Sequence, residues 1–475
     1  MSEQPNPYEI TEATIEEPPT RFFQKLKYLG PGFILSASIV GSGELIATTA
    51  FGAQAGMTLL WVILFSCLVK VTLQLEFGKH AIHSGETTME AFNKLPGWAP
   101  GRVNWSIWLW LALMVLKFLQ VGAIIGLVAE IANIAFPGTI TLTQSITGIE
   151  DAAFAAKIAE AGWCALFAAI VSLLIFRGKY KVIERLSLVL IGLFTLMTLG
   201  SLIMLQNTDF AVEGGNVIRG LIPNLPNDMK VLFYAIGAFG ITGVGGDEIM
   251  HYNYWLLEKG YAKKTGPSDK DNPDWQRRAK GWISVMYLDA IAAMIVYTVM
   301  TAAFFILGAA ILHGAEDLPS GGGLIERLSV IYTETLGPWA KTAFMTGAFV
   351  VLFSTLFSAL GAWTRGFADC FGQLRLLDFR DNKQRGKAIA WLAWVIPVIW
   401  SIVYFAMGKP LFMVYIGGAS TTAMLLIVIV AAIHFRYRRL VAPLRPGKLY
   451  DVCFWTSAIA ILLVGIWALV KPFVT

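Results

Sequence analysis

Two short stretches of this chain set carboxylates directly after glycines inside long apolar segments: Val40-Gly41-Ser42-Gly43-Glu44 and Val244-Gly245-Gly246-Asp247-Glu248. Glycine weakens a helix, and a helix interrupted inside a bilayer frees backbone carbonyls that protein, water or ions must meet. Carboxylate and carbonyl oxygens together are the ligand chemistry of hard cations such as Mg2+, Ca2+ and Mn2+. Taken singly, either copy is a kinked helix with an acid suited to the positive end of its dipole. Two such interruptions about two hundred residues apart mark a transporter made of two related halves with its site between them.

The elements that must position these residues are membrane helices. Of 475 residues, 56% are hydrophobic and only 15% charged, and the mean hydropathy is +0.62. That is the composition of an all-α polytopic membrane protein. Eleven spans of bilayer length read at 31–53, 57–76, 104–134, 160–176, 185–205, 230–256, 282–312, 341–364, 388–406, 411–433 and 452–470. Met1 to Thr20 is acidic and Pro-containing, without the basic n-region or cleavage site of a signal peptide, and reads as a disordered tail. Arg21 to Leu29 mixes aromatic and basic residues as a short interfacial helix does.

Lys and Arg fall mainly on the tail's side of the membrane. The loops after spans four, six, eight and ten carry Arg177, Lys179 and Lys181, then Lys259, Lys263 and Lys264, then Arg375, Arg380 and Arg385, then Arg436, Arg438 and Arg439. The opposite side offers Lys157, Arg219, Lys230, Arg327, Lys341, Lys409 and Lys471. The positive-inside rule then puts the N-terminus in the cytoplasm and, after eleven crossings, the C-terminus outside a cell membrane. The net charge of +5 describes topology and implies no nucleic-acid partner. Cys67, Cys164, Cys370 and Cys453 form no CxxC or metal-ligand spacing, so neither a disulfide framework nor a zinc site is indicated. Gly321-Gly322-Gly323 reads as an external turn.

Spans one and six cross in opposite senses. Residues 30–205 and 206–433 therefore read as two inverted five-helix repeats, a five-plus-five fold of the leucine-transporter type with helices 1 and 6 broken. Residues 1–29 precede them as tail and interfacial helix, and 434–475 follow as a basic loop and an eleventh helix. At roughly 1.5 Å per residue, Glu44 and Asp247 both come about 20 Å into their spans, close to the midplane.

Gly30-Pro31-Gly32-Phe33, the broken first helix, and the string from Gly52-Ala53-Gln54-Ala55-Gly56-Met57 to Leu64 closely resemble the opening of Nramp divalent metal transporters. The likeness continues at Asp289 and Thr301-Ala302-Ala303 in span seven, and more weakly at Ser354-Thr355-Leu356 in span eight. It implies the broken-helix fold and transport of a divalent metal. The metal-site motifs depart from the family. Its first-helix Asp-Pro-Gly-Asn is replaced by Gly41, Ser42, Gly43 and Glu44. Its sixth-helix Ala-x-x-Met-Pro-His becomes Thr242 to Asp247, so the thioether is lost and an acid holds the histidine position. Where the family carries Asp and Glu in span three, implicated in proton movement, this chain has Lys117 and Gln120, and Thr301 stands for the Asn of span seven.

The expected substrate ligands are Gly41, Glu44, Thr242, Gly245, Asp247 and Glu248, with backbone carbonyls near residues 39–41 and 242–245 completing an all-oxygen site. Mg2+ needs few protein carboxylates and keeps several waters, and loss of methionine removes a reason to prefer softer metals. Lys117 falls near the midplane of span three, where an ammonium is expected to pair with Glu44 or Asp247. It, Gln120, Asp289 and Thr301 are the coupling or pathway candidates, with Ser420 and Thr421 in span ten as further cavity candidates, although Ser and Thr also cement helix packing. Lys70, Glu76 and Lys79 read as snorkelling or paired near the cytoplasmic face.

The leading expectation is a secondary transporter of Mg2+ or Mn2+ by alternating access, with the transported ion as its ligand and no cofactor. The alternatives are a transporter of a small organic solute such as an amino acid or amine on the same fold, and a sensor that no longer transports. With no nucleotide loop or nucleophile elbow, an enzyme is not expected. Nothing in the residues speaks to oligomeric state.

Overall fold

The computed structural model describes residues 6–224, 231, 235, 238–314, 323, 326, 329 and 337–470. Lys230, Arg327, Lys471, Gly321, Gly322 and part of span six lie outside them. Among the described residues every regular element is helical.

After a short helix at Phe22–Lys25, the first bundle helix, α1 (Pro31–Ile39), opens with proline at a position where no amide donor is needed. It runs through a wide π-helical stretch (Val40–Thr48) into α2 (Thr49–Ala55). The interruption expected at Val40–Glu44 thus takes the form of a nine-residue widening, a conformation that recurs at functional sites. Glu44 lies within that stretch and not at a new helix N-terminus, so the dipole account of it does not apply. The chain turns at Gly56 into α3 (Leu60–Ser84). Next come α4 (Trp105–Ala135), α5 (Ala152–Ile175) and α6 (Tyr180–Leu205). Span six has helical turns at 238–241, a break at 242–245, and then α7 (Gly246–Lys259). The second half continues through α8 (Pro273–Leu312), α9 (Pro338–Gln373), α10 (Asn382–Met407) and α11 (Pro410–His434), and α12 (Lys448–Val470) follows.

Nine helices among the described residues are long and apolar enough to cross a membrane. The eleven spans read from sequence reduce to nine on that criterion for two local reasons. The second part of span one joins span two through the Gly56 turn, and the break leaves α7 only 14 residues long.

The widened first helix and the break before α7 meet inside the bundle. α1 packs on α6, α7, α8 and α9; the π-helical stretch on α8, α9 and α11; and α7 on α3 and α11. The close approach of α9 requires glycine at Gly41, where a Cβ would come within 1.9 Å of Thr355 Oγ1.

Two polar features differ from expectation. The N-terminal tail is packed from residue 6 onward. Tyr8 is buried and donates to Glu258 (2.9 Å), Trp282 Nε1 donates to the Glu16 carbonyl (3.1 Å), and Glu17 pairs with Arg277 (2.5 Å). Its acids meet basic residues far along the chain, such as Arg277 and Lys264, a long-range complement that local composition does not reveal. Cys370, which lies beyond the 341–364 span read from sequence, is buried in α9.

Candidate functional site

The break before α7 turns on Gly243, whose φ of +67° lies in the left-handed region that favours glycine. Several of the polar groups that the break frees are met by side chains from other helices. The Gly243 amide donates to Glu44 Oε1 (3.0 Å), and Glu44 Oε2 accepts from Thr48 Oγ1 (2.9 Å). On the other side of the turn, Lys70 Nζ from α3 donates to the carbonyls of Phe239, Gly240 (3.3 Å) and Thr242 (2.6 Å). Ser66 Oγ, one helical turn earlier, donates to the Phe239 carbonyl (2.9 Å) and receives the Thr242 hydroxyl (3.0 Å). A buried carboxylate and a buried ammonium thus complement the amide and carbonyl ends of one broken helix.

A second buried cluster lies on the α7 side of the break. Asp247 and Glu248 occupy the first turn of α7. Lys117 from α4 reaches Asp247 Oδ1 at 2.9 Å and Glu248 Oε1 at 3.9 Å, and donates to Thr421 Oγ1 of α11 at 2.7 Å. Lys117 and Asp247 are each only 3% exposed. These four residues, with Gln120, Ser38, Ile39, Gly243, Thr355 and Trp363 among the others, line a cavity of about 20 Å3. That is room for a water or a single small ion. Glu248 Oε2 is buried with no hydrogen-bond partner among the described residues.

A profile described as Natural resistance-associated macrophage protein-like (Nramp) matches residues 32–471. The chain belongs to the Nramp family. An uncharacterized protein of Pasteurella multocida is 23% identical to it over 370 residues, which cover 75% of this chain and 73% of that protein. The divalent metal cation transporter MntH of Brucella suis is 24% identical over 317 residues; the match covers 65% of this chain and 60% of the transporter's length. A mutant of the Eremococcus coleocola manganese transporter superposes with a TM-score of 0.64 at 17% identity, over 98% of this chain and 92% of that one. At that identity the likeness is one of fold: all-helical, five-plus-five, with helices 1 and 6 interrupted.

In this Nramp chain the residues singled out from sequence divide into groups. Lys117, Gln120, Asp247, Glu248 and Thr421 come together at one cavity. Glu44 does not line it; its carboxylate is committed to Gly243 and Thr48. The Thr242 carbonyl, read as a cation ligand, is taken by Lys70. Gly245 caps the N-terminus of α7, and Gly41 abuts Thr355. Asp289 lies apart, at the start of α1, where its two oxygens accept from the amides of Gly30 (2.8 Å) and Gly32 (2.6 Å) and from Tyr252 Oη (3.0 Å). Thr301 donates back to the Tyr297 carbonyl (2.7 Å), and Ser420 joins α11 to the Leu113 carbonyl of α4 (2.6 Å).

Lys70 is the residue that sequence reading misplaced in this Nramp chain. Counting from a span of 57–76 put it near the cytoplasmic end, but α3 runs from Leu60 to Ser84 and Lys70 falls well inside it. The signal available was a lysine on the same helix face as Ser66, four residues away. Glu76, by contrast, is paired with Lys79 (2.5 Å) and Arg436 (3.0 Å) near the end of the bundle.

Proposed function

We propose that this chain is a secondary transporter of a hard divalent cation, Mg2+ or Mn2+, moving it by alternating access with the N-terminus in the cytoplasm and the C-terminus outside. The observation that carries the reading is the Asp247–Glu248 pair at the break, facing an ion-sized cavity shared with Lys117. The named functions of the Brucella and Eremococcus relatives support the substrate class. The Lys and Arg distribution supports the orientation.

In the arrangement seen, the Lys117 ammonium offsets one of the two acid charges, chiefly that of Asp247. An arriving dication replaces it on Asp247 and draws Glu248 in as Lys117 moves aside. Among the described residues no group of three or more His, Cys, Asp or Glu side chains is arranged to hold a metal. The protein therefore supplies two carboxylates, with hydroxyl and carbonyl oxygens beside them, a donor set that suits a hard dication such as Mg2+ or Mn2+. The paired acids lining the cavity weigh against a substrate that carries a carboxylate of its own, such as an amino acid.

Thermal stability of the purified protein tests this reading. Mg2+ or Mn2+ raises the Tm saturably, and Lys117→Gln, which removes the competing ammonium, tightens the apparent Kd about tenfold or more, about 1.4 kcal/mol. A Tm that responds to an amino acid or amine and ignores every dication contradicts the reading.

A further inference from the structure

We infer that the break before α7 forms a monovalent-cation site and that this chain fills it with its own cation, the ammonium of Lys70. Three backbone carbonyls, those of Phe239, Gly240 and Thr242, converge on Lys70 Nζ. Lys70, Ser66 and Thr242 are fully buried, and the Phe239 ring lies 5.1 Å from Nζ. A lysine that merely caps the end of a helix is common, but such caps sit at exposed termini where water shares the work. Here the carbonyls belong to a half-helix that ends inside the bundle, and the cation that satisfies them comes from another helix.

Oxygen dipoles converging at the carbonyl end of a discontinuous helix are the chemistry by which proteins hold desolvated Na+ or K+. The cage here is made of carbonyl oxygens with the Ser66 hydroxyl beside them, so it lacks the carboxylates that would favour a dication. Its position across the Gly243 turn from Glu44 lets one fixed positive and one fixed negative charge hold the turn together. A transporter that must capture a free cation to close such a break is conformationally tied to that cation. A tethered ammonium removes the tie, so the break is assembled at every cation concentration. The inference concerns monovalent cations only and stands whether or not the Asp247–Glu248 cavity carries a dication.

The test compares the full-length wild type with Lys70→Ala and Lys70→Met, each held at constant ionic strength in Na+, K+, Li+, ethylammonium or N-methylglucamine salts. Wild-type Tm changes by less than 1–2 °C (about the scatter of such scans) across the series. The variants are unstable or unfolded in N-methylglucamine, whose cation is too large to enter. They recover saturably, by about 5 °C or more, in at least one of the small cations. Two results overturn the inference: a wild type that itself needs one of these cations, or variants that recover in none of them, whether they fold or not.

Discussion

Asp247→Asn abolishes transport and destabilises the protein by about 3–5 kcal/mol, the cost of removing one member of a buried ion pair. The size follows from the surroundings of Lys117. Its ammonium is 3% exposed and reaches Asp247 at 2.9 Å, whereas Glu248 stands at 3.9 Å and Thr421 supplies only a neutral hydroxyl. Without the Asp247 charge the ammonium keeps a weaker partner in a site with little water. Adding Lys117→Met to Asp247→Asn removes the stranded charge, so the double variant regains most of the lost stability but none of the transport. Denaturation in detergent and uptake by the same preparations read the two effects separately. Asp247→Asn as stable as wild type contradicts the pairing.

Asp289→Ala loosens the N-terminal end of α1. One carboxylate accepts from Gly30, Gly32 and Tyr252, and its removal leaves three buried donors unmet, each at about 1–3 kcal/mol. The expected loss is on the order of 3 kcal/mol, part of it recovered as the chain relaxes. The effect is local first: amide hydrogen exchange over residues 30–36 accelerates at least tenfold (about 1.4 kcal/mol of local stability), while exchange in α4 is unchanged. Asp289→Asn retains one acceptor oxygen and falls between. Unaltered protection of residues 30–36 in Asp289→Ala would show that Asp289 does not anchor the first helix.

These expectations rest on residues with different visibility in the sequence. The spans were legible because apolar length is a strong signal, and the helices lie within a turn or two of most limits read from it. The break at 242–245 was legible from the glycines Gly243, Gly245 and Gly246, and the depth of Lys117 from its distance along a long apolar run. Which acid Lys117 meets was not legible, because that depends on the rotation of α4 relative to α7 and α11. Glu44 and Asp247 looked equivalent as two acids after two glycine pairs. They are not equivalent in space: the first helix widens without ending, so Glu44 turns to the Gly243 amide while Asp247 faces the cavity. Lys70 was hidden by an error of several residues at one helix end. The packed tail was hidden because its partners, such as Glu258 and Arg277, are far along the chain.

The central claim is that a hard dication passes through the Asp247–Glu248 cavity. Its most direct test is Mn2+ uptake into proteoliposomes, competed with Mg2+, Ca2+ and Cd2+ and repeated in Asp247→Asn. The account predicts that Mg2+ competes with Mn2+ at comparable concentrations, that Cd2+ gains no advantage from softness, and that the variant takes up none. Uptake that strongly prefers Cd2+, or that persists in Asp247→Asn, would contradict it.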